Sequence, residues 1–301
     1  MEPEFSVIIP TYRRPAELAN CLRALALQDF PRDQFEVIVA DDGDEGMEAV
    51  RDFVAGGFPH CVFVTQPRSG PASARNLGAR HARGRFLAFS DDDCEPSPQW
   101  LSALEVTLRA NPDALVGGQT VNSLRGNCYS AASQQLIDFL YGAYTDSGRF
   151  FTSNNFAMSS RLFASLGGFD VSFRLPAGED RDFCSRWSAV GPMVYSPRAM
   201  VYHSHFLTLS GYWQQHFRYG QGAYQLQRRM RDTRRACLRV QAPGFYFRLL
   251  TSPFQSAAGS PGERVFIATL LGLSQTANVC GFASEALRQR RNSGAVTLLP
   301  E

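Results

Sequence analysis

The residues that most clearly could carry chemistry are three consecutive carboxylates, Asp91, Asp92 and Asp93, which directly follow a short apolar run at residues 86–89. Adjacent acids repel one another and are costly to remove from water, so a fold that gathers them commonly balances them with a cation. Oxygen ligands with no thiolate cluster nearby favour Mg2+ or Mn2+, ions that share their sites with phosphate oxygens. The alternative for the run by itself is a solvated acidic turn.

The apolar run before the aspartates is one of several segments with the length of a buried strand. Residues 5–9 form the first and end beside Thr11, and residues 35–40 form another and end beside Asp42. A helical pattern that opens at Pro15 lies between them. Strand, helix and strand with short links form a right-handed crossover, which places both strand ends at one edge of the sheet. Further expected strands cover residues 61–64, 115–121, 156–158 and 200–205, and further expected helices cover residues 73–83, 100–108 and 181–189.

The carboxyl ends of these strands predict a common site. In open α/β sheets, ligands bind in the crevice beyond the carboxyl ends of the strands. Thr11, Tyr12, Asp42 and the three aspartates would therefore meet at one edge, which predicts a site of nucleotide size. Taken singly, Tyr12 and Asp42 would be ordinary loop residues.

A second acidic group, Glu179 and Asp180, stands at the start of a helical pattern. Carboxylates at a helix N-terminus are stabilised by the helix dipole by about 0.3 to 1 kcal/mol, so helix capping is one explanation of this pair. Further along the chain, His203 and His205 lie in an expected strand, and the period of two places them on the same face. A strand histidine can also be purely structural.

All thirty basic residues are arginine. The absence of lysine excludes a Schiff-base enzyme and a P-loop of the usual kind, because both need a lysine amine. It also indicates a GC-rich genome and hence a bacterial source. The seven cysteines are widely spaced without a C-x-x-C pair, and the first residues show no signal peptide, so we expect a cytoplasmic protein.

Charge is divided unevenly along the chain. Residues 1–217 hold 18 arginines against 24 acids, an excess of 6 negative charges, whereas residues 218–301 hold 12 arginines against 4 acids, an excess of 8 positive charges. An uncharged stretch at residues 265–284 has the length of a spanning helix, but its polar residues favour an interfacial or hairpin helix. The basic part also contains clustered arginines, namely Arg228, Arg229, Arg231, Arg234, Arg235 and Arg239.

The basic part of the chain is suited to a lipid surface. Arginines beside aromatic residues and an apolar helix fit an anionic membrane face. The alternative is a helix that packs against the catalytic domain. Nucleic acid is not an expected partner, because the rest of the chain is acidic. We therefore expect peripheral attachment at the inner face of the cell membrane.

Five short motifs occur in order along the chain. They are S-V-I-I-P-T-Y from residue 6, D-D-G from residue 41, A-R-N-L-G from residue 74, D-D-D from residue 91 and E-D from residue 179. Together they resemble the inverting family 2 glycosyltransferases, which have the GT-A fold. The resemblance covers residues 4–220 and is specific because the motifs occur together, whereas each alone is weak. It implies an α/β fold with a mostly parallel, Rossmann-like sheet and a C-terminal helical extension.

The resemblance also implies roles for individual residues. Asp180, beside Glu179, would be the catalytic base. The ion, Mg2+ or Mn2+, would be held by Asp93 together with Asp91 and His203. Thr11 and Tyr12 would line the base and ribose pocket, and Asp42 would accept a hydrogen bond from the base. The full set of expected donor contacts is Pro10, Thr11, Tyr12, Asp42, Arg75, Asp91, Asp92 and Arg218.

A further match is partial. Gln215, Arg218 and Tyr219 are similar to the Q-x-x-R-W signature of processive polysaccharide synthases, but tyrosine replaces the tryptophan and multiple membrane spans are absent. Processive synthesis is therefore not expected. Arg218 could still pair with the departing diphosphate, because a guanidinium matches phosphate oxygens. The alternative is that Arg218 is a surface residue of a helix.

The function that the resemblance implies is metal-dependent, inverting transfer of a hexose from a nucleotide-diphosphate donor. The expected donor is a UDP-sugar. The acceptor would be a hydroxyl on a lipid-linked or membrane-near molecule. The GT-A catalytic domain would span residues 1–220, with a nucleotide-binding half at about 1–120, an acceptor half at about 121–220 and a helical tail at 221–301. The alternatives are a nucleotidyltransferase with the same sheet and metal, and an inactive scaffold that binds nucleotide-sugar. A phosphohydrolase with Asp93 as nucleophile is disfavoured, because no lysine is present to support a phosphoaspartate.

Overall fold

The computed structural model of the chain describes residues 2–43, 50, 54, 60–143, 150–173, 177–233, 241–255 and 259–296. The described strands are β1 (Phe5–Thr11), β2 (Phe35–Asp41), β3 (Cys61–Thr65), β4 (Phe86–Ser90), β5 (Cys94–Pro96), β6 (Leu115–Asn122), β7 (Asn155–Ser159) and β8 (Met193–His203). The described α-helices are α1 (Pro15–Ala26), α2 (Pro71–His81), α3 (Trp100–Ala110), α4 (Cys128–Ala143), α5 (Ser160–Ser165), α6 (Glu179–Trp187), α7 (Leu209–Asp232), α8 (Pro243–Thr251) and α9 (Pro261–Val296). Three of the clustered arginines, Arg234, Arg235 and Arg239, lie outside the described residues.

The described strands form one sheet in the order β3-β2-β1-β4-β7-β6-β8-β5. β1 is parallel to both β2 and β4, and β3 is parallel to β2, as the predicted crossovers require. β7 is antiparallel to β4 and β6, and β5 is antiparallel to β8, so the sheet as a whole is mixed. Every residue of β1, β2 and β4 is buried, which explains their continuous apolar runs. The expected α/β class with a C-terminal helical part is confirmed.

Close packing of α2 on β1 positions one of the predicted site residues. A Cβ atom on Gly78 would lie 2.6 Å from Ile8 Cγ2, so only glycine allows this approach of helix to strand. Residues three apart share a face of a helix, and Arg75 is therefore turned to the same side as Gly78. As a result, the Arg75 side chain is 5% exposed although it carries a charge.

The segment after β4 brings the aspartates next to a histidine. The short strand β5 follows the aspartates at once and pairs with the end of β8, with Cys94 opposite His203. The predicted strand at 200–205 is wrong at both ends, because β8 begins at Met193 and ends at His203. Its first half was missed because three residues around Pro197 bulge out of the ladder with β6 and break the apolar pattern.

The described chain divides into two compact units. The first contains the described parts of Met1–Ser123, Tyr144–Arg174 and Glu179–His205, and it holds the whole sheet. The second contains the described parts of Leu124–Ala143, Leu175–Gly178 and Phe206–Glu301, and it is helical. The expected boundary at residue 220 falls inside α7, and the division into functional domains stays a prediction.

In the second unit, α7 and α9 run side by side in the same direction. Tyr212 Oη donates a 3.0 Å hydrogen bond to the carbonyl oxygen of Leu270, and Gln225 Nε2 donates one of 3.3 Å to Glu285 Oε1. α9 is a single helix of 36 residues, so the hairpin expected from its polar residues is wrong. Those residues are accommodated inside the helix: Ser274, for example, is buried and donates to a carbonyl of the preceding turn.

Candidate active site

The three aspartates lie at the carboxyl end of β4, beside the end of β1. Thr11 Oγ1 donates a 2.8 Å hydrogen bond to Asp92 Oδ2. Asp92 and Asp93 are buried, whereas Asp91 is half-buried. Burial and the charge of Asp93 raise the pKa of Asp92 to about 7, against the opposing effect of a nearby arginine. The cluster therefore depends on positive charge to remain ionised.

That arginine is Arg14, which the sequence analysis did not identify. Its Nη1 atom lies 2.9 Å from Asp93 Oδ2 and 3.2 Å from Asp92 Oδ1, so one guanidinium joins two of the aspartates. Arg14 immediately precedes α1 and follows Arg13, whose φ of 53° is a left-handed turn conformation. The only sequence signal for it was a pair of arginines directly after the first strand, which by itself predicts no particular partner.

Two histidines also approach Asp93. His203 Nε2 lies 3.3 Å from Asp93 Oδ1, and His205 Nδ1 lies 3.5 Å from Asp93 Oδ2. The two rings stack with their centroids 5.2 Å apart, although only His203 belongs to β8. Burial alone would raise the pKa of Asp93, but hydrogen bonds from both histidines and the charge of Arg14 lower it well below the ordinary value. Asp93 is therefore held ionised.

The donor set around Asp93 fits a divalent ion. Ligand atoms of Asp93, Cys94 and His203 lie within 4.8 Å of one another. Two ligands at right angles on an ion about 2.1 Å away are about 3 Å apart, close to the observed separation of the Asp93 and His203 atoms. An imidazole beside a carboxylate suits Mn2+ better than Mg2+, which prefers oxygen. Asp91, the third expected ligand, is outside this group, and the metal assignments stay predictions.

Asp91 pairs instead with Arg75, which also reaches the second acidic group. Arg75 Nη2 lies 2.7 Å from Asp91 Oδ1, and Nη1 lies 3.2 Å from Glu179 Oε1. The guanidinium also lies over the ring of Phe169, 5.6 Å from its centroid. Burial acts to lower the pKa of Arg75, but Asp91 and Glu179 more than offset it and the pKa is raised. Arg75 is thus a charged link between the two acidic groups.

Glu179 and Asp180 open α6, where burial outweighs the nearby charges of Arg75 and Arg181. Burial and the charge of Asp180 raise the pKa of Glu179 to about 7, and burial also raises the pKa of Asp180. Glu179 Oε2 is buried without a hydrogen-bond partner among the described residues, and Asp180 Oδ1 accepts a 2.7 Å hydrogen bond from the backbone N–H of Arg181. The ion pair of Glu179 with Arg75 shows that this glutamate does more than cap its own helix.

Asp42 organises the segment that leads into α2. Its Oδ1 atom accepts hydrogen bonds from Gln66 Nε2 at 2.7 Å and from the backbone N–H of Ser69 at 2.8 Å, and its Oδ2 atom accepts one from Gly70 N–H at 2.8 Å. Gly70 has a φ of 95°, which favours glycine. Both carboxylate oxygens are therefore engaged with the protein, and the contact of Asp42 with a nucleotide base stays a prediction.

Pro10 and Tyr12, at the end of β1, belong to the same edge of the sheet. Pro10 is buried within β1, and Tyr12 is half-buried directly after it. The guanidinium of Arg68 lies over the Tyr12 ring, 4.7 Å from the centroid, and that of Arg13 lies 5.4 Å from it. An aromatic ring with two arginines beside it is suited to a nucleotide, because a free ring face can stack on a base while the arginines meet phosphate. Arg68 is a second residue that the sequence analysis missed.

Arg218, unlike the other predicted site residues, belongs to the second unit. It lies on an exposed face of α7, and no acidic residue described in that unit forms an ion pair with it. The rest of its motif is engaged within that unit: Gln215 Nε2 donates hydrogen bonds to Tyr219 Oη at 2.8 Å and to Ser133 Oγ at 3.3 Å. The role of Arg218 at a diphosphate stays a prediction.

Comparison with known proteins decides the family. The family model described as Glycosyl transferase family 2 matches residues 6–164, more than half of the chain. The chain belongs to glycosyltransferase family 2. All three expected D-D-D residues, Thr11 and Arg75 lie inside the matched part of this family 2 chain, whereas Glu179 and Asp180 lie beyond it.

Curated relatives of this family 2 chain are themselves glycosyltransferases or polysaccharide-building proteins. The succinoglycan biosynthesis protein ExoM of Rhizobium meliloti is 35% identical over 209 residues, covering 64% of this chain and 64% of the relative. Glycosyltransferase AglE of Haloferax volcanii is 36% identical over 118 residues, covering 38% of this chain and 39% of the relative. The aligned part thus spans less than two thirds of the length of these relatives.

Solved structures support the same fold at lower identity. A mannosyltransferase from Pyrobaculum calidifontis in complex with GDP-Man and Mn2+ superposes with a TM-score of 0.63 at 19% identity, covering 93% of this chain and 88% of that structure. Staphylococcus aureus TarS 1–349 in complex with UDP-GlcNAc superposes with a TM-score of 0.54 at 16% identity, covering 96% and 92%. These likenesses establish the GT-A fold for the family 2 chain, and its predicted recognition as GT-A is confirmed.

Proposed function

We propose that this family 2 chain transfers a hexose, with inversion, from a nucleotide-diphosphate donor to an acceptor hydroxyl. The observation that carries the proposal is the meeting of two acidic groups at one sheet edge. One contains Asp93 beside His203, with atoms 3.3 Å apart, and the other contains Asp180 beside Glu179. Arg75 joins them through ion pairs of 2.7 Å and 3.2 Å.

The first acidic group would serve the leaving group. Asp93 and His203 would hold a divalent ion, with Asp91 reaching it or the donor ribose. When bound, such an ion neutralises the charge that grows on the departing diphosphate. Tyr12, with Arg68 over its ring, would stack on the base, and Thr11 would fix Asp92 beside the same pocket.

The second acidic group would serve the nucleophile. Asp180 would take the proton of the acceptor hydroxyl as that oxygen bonds to the sugar C1 atom. The bond between C1 and the diphosphate oxygen breaks, and its electron pair leaves with the nucleoside diphosphate. Attack from the face opposite the leaving group inverts C1. A base is most effective when its pKa lies nearer the working pH than that of a free carboxylate, and burial raises the pKa of Asp180 in that direction.

The ligands of the structural relatives indicate which nucleotide-sugar donors to test first. One is described with UDP-GlcNAc and another with GDP-Man and Mn2+. We propose a UDP-sugar as the donor and Mn2+ as the ion, the latter because His203 is an imidazole ligand. A nucleotidyltransferase with the same sheet would release pyrophosphate instead of a nucleoside diphosphate, so the product separates the two activities.

The test is calorimetric titration of the chain with UDP and GDP, with and without Mn2+, followed by analysis of the product released from the matching nucleotide-sugar. We expect metal-dependent binding of one nucleotide, lost in Asp93→Asn. Asp113→Asn is the matched control, because Asp113 is an exposed acid of the same unit whose side chain is 67% accessible. Failure to bind either nucleotide would contradict the proposal. Binding without turnover by any UDP- or GDP-sugar would favour the inactive scaffold.

We further propose that the helical unit attaches the enzyme to an anionic membrane at its inner face, near a lipid-linked acceptor. The described helix Pro261–Arg291 is long and apolar enough to cross a membrane: its most apolar window of 18 residues has a mean hydropathy of 1.4, and 28% of that window is buried. Large apolar residues are exposed on this helix, on α8 and on the 3-10 turn Ser252–Gln255 that follows α8; they are Phe247, Phe254, Val265, Phe266, Val279 and Leu287.

The pairing of α7 with α9 favours attachment along the surface over spanning. Tyr212 and Gln225 each hydrogen-bond a residue of α9, Leu270 and Glu285 respectively, and α7 exposes Arg218 and Arg228. A charge carried into the hydrocarbon layer is costly, so α9 would lie in the interface with its apolar side toward lipid. Co-sedimentation with anionic but not zwitterionic vesicles, released by Val279→Asp, would support this. Equal recovery with both would contradict it.

A further inference from the structure

Arginine and histidine side chains contact different members of the aspartate cluster. Arg75 pairs with Asp91, and Arg14 pairs with both Asp92 and Asp93. His203 and His205 approach only Asp93. Each aspartate thus already faces positive charge from the protein, and an incoming ion must compete with one of these groups.

The two arginines differ in how firmly they are held. The Arg75 side chain is 5% exposed and is fixed by Asp91, Glu179 and the ring of Phe169. The Arg14 side chain is 44% exposed, and its side-chain hydrogen bonds within the described chain go to Asp92 and Asp93. Arg14 can therefore leave the cluster by rotating toward solvent, whereas Arg75 is enclosed.

The position of Arg14 conflicts with an ion at Asp93. Its Nη1 atom lies 2.9 Å from Asp93 Oδ2, and His203 Nε2 lies 3.3 Å from the other oxygen of the same carboxylate. An ion bound between Asp93 and His203 would have a guanidinium only a few ångströms away, in a partly buried site where like charges repel strongly. A diphosphate supplies the negative charge that removes this conflict.

We propose that Arg14 makes metal binding depend on the donor. In the free chain Arg14 neutralises Asp92 and Asp93 and keeps divalent ions out of the site. When a nucleotide diphosphate enters, the guanidinium moves from the carboxylates to the diphosphate oxygens, which match its planar fork, and the ion takes its place at Asp93. The inference rests on the proposed function, since it assumes a nucleotide-diphosphate donor, and it assigns Arg14 a positioning role.

The consequence is a coupling between two ligands that can be measured without turnover. Metal and nucleotide should strengthen each other's binding by the same factor, because coupling between binding sites is reciprocal. Removing the Arg14 charge should free Asp93, so that Mn2+ alone binds more tightly. The advantage that a nucleotide confers on Mn2+ binding should shrink accordingly.

The experiment follows free Mn2+ by its electron paramagnetic resonance signal during titration with protein, with and without UDP or GDP. Arg14→Gln is expected to bind Mn2+ alone about tenfold more tightly than wild type and to lose most of the enhancement by nucleotide. Arg14→Lys retains the charge and should resemble wild type in Mn2+ affinity. Arg23→Gln is the matched control, because it removes one positive charge from an exposed arginine of α1 that bonds Asn20 rather than the aspartates.

The outcomes separate this inference from the proposed function. If wild type binds neither nucleotide under any condition, the proposed function fails. If wild type binds nucleotide and Mn2+ but Arg14→Gln binds Mn2+ alone no more tightly and keeps the full enhancement, the role of Arg14 is overturned while the donor site stands. A gain in Mn2+ affinity that Arg23→Gln reproduces would also overturn it, because net charge would then account for the effect.

Discussion

Two acidic groups at the same edge of one sheet hold carboxylates that are balanced in opposite ways. In the aspartate cluster, Arg14, His203 and His205 all lie within 3.5 Å of Asp93. In the second group, Glu179 forms an ion pair with Arg75, and Asp180 Oδ1 accepts a hydrogen bond from the backbone N–H of Arg181. Both groups are made of carboxylates, yet the pKa of Asp93 is lowered by its neighbours while the pKa of Glu179 is raised to about 7.

The difference matches two kinds of chemical work. A carboxylate that ligates a metal must be ionised over the whole working range of pH, and the charge of Arg14 with the hydrogen bonds from the histidines provides for that at Asp93. A base must exchange protons near the working pH, and burial without full compensation moves Glu179 and Asp180 toward it. Environment, more than residue type, assigns the roles. Each prediction below tests whether the two groups are truly different.

The largest effect is expected from removing the base. Asp180→Asn keeps the size of the side chain but cannot take a proton, so kcat should fall about a hundredfold to ten-thousandfold. Binding of nucleoside diphosphate and Mn2+ should be unchanged, because these belong to the other acidic group. Steady-state release of nucleoside diphosphate and calorimetric titration measure the two properties on one preparation.

The variant Glu179→Gln tests which carboxylate of the pair is the base. If Asp180→Asn remains active while Glu179→Gln is inactive, the base is Glu179 and the division of roles within the pair is reversed. If Asp180→Asn loses nucleotide or Mn2+ binding as well, the two groups form one site and the comparison does not hold.

An intermediate effect is expected at the histidines. His203→Asn should weaken Mn2+ binding in the presence of nucleotide about tenfold to a hundredfold, because it removes an atom placed for ligation beside Asp93 Oδ1. His205→Asn should weaken it only about threefold, because that ring stands on the other oxygen at 3.5 Å and lies beyond the strand end. Mn2+ titration followed by electron paramagnetic resonance compares them. Equal losses would mean that both rings ligate the ion.

The sequence alone was enough to predict those elements whose signal is a local pattern of residues. The buried strands β1, β2 and β4 could be predicted because each is a continuous apolar run that ends in polar or acidic residues. Their parallel pairing then placed Thr11, Asp42 and the aspartates at one edge. The uncharged stretch within α9 was expected to form an interfacial or hairpin helix. It forms no hairpin, and a serine within it can satisfy its hydroxyl on its own helix, as Ser274 does.

Partners that lie far apart in the chain could not be predicted in this way. Arg14 and Asp93 are separated by 79 residues, and Arg75 and Glu179 by 104, so nothing local indicates which guanidinium meets which acid. His205 shows a related limit. The period of two applies only within a strand, and β8 ends at His203, so the two rings meet at Asp93 because of the turn that follows rather than because of the strand.

The smallest effect concerns the stability of the fold. An exposed glutamate loses its proton near pH 4.3, whereas folded Glu179 holds it to about pH 7. Between these values the folded chain binds more protons than the unfolded chain, so stability falls as pH rises through the window. Glu179→Gln should flatten part of that decline, by about 1 to 3 kcal/mol between pH 4.5 and 7.5.

Urea unfolding of wild type and Glu179→Gln across this pH range measures the difference. Glu17→Gln makes the same chemical change on the exposed side of α1, and its stability should follow wild type. Some decline should persist in Glu179→Gln because burial also raises the pKa of Asp180. Curves that stay parallel for wild type and Glu179→Gln would mean that Arg75 keeps Glu179 ionised throughout. The second acidic group would then be as well compensated as the first, and the assignment of the base would have to rest on geometry alone.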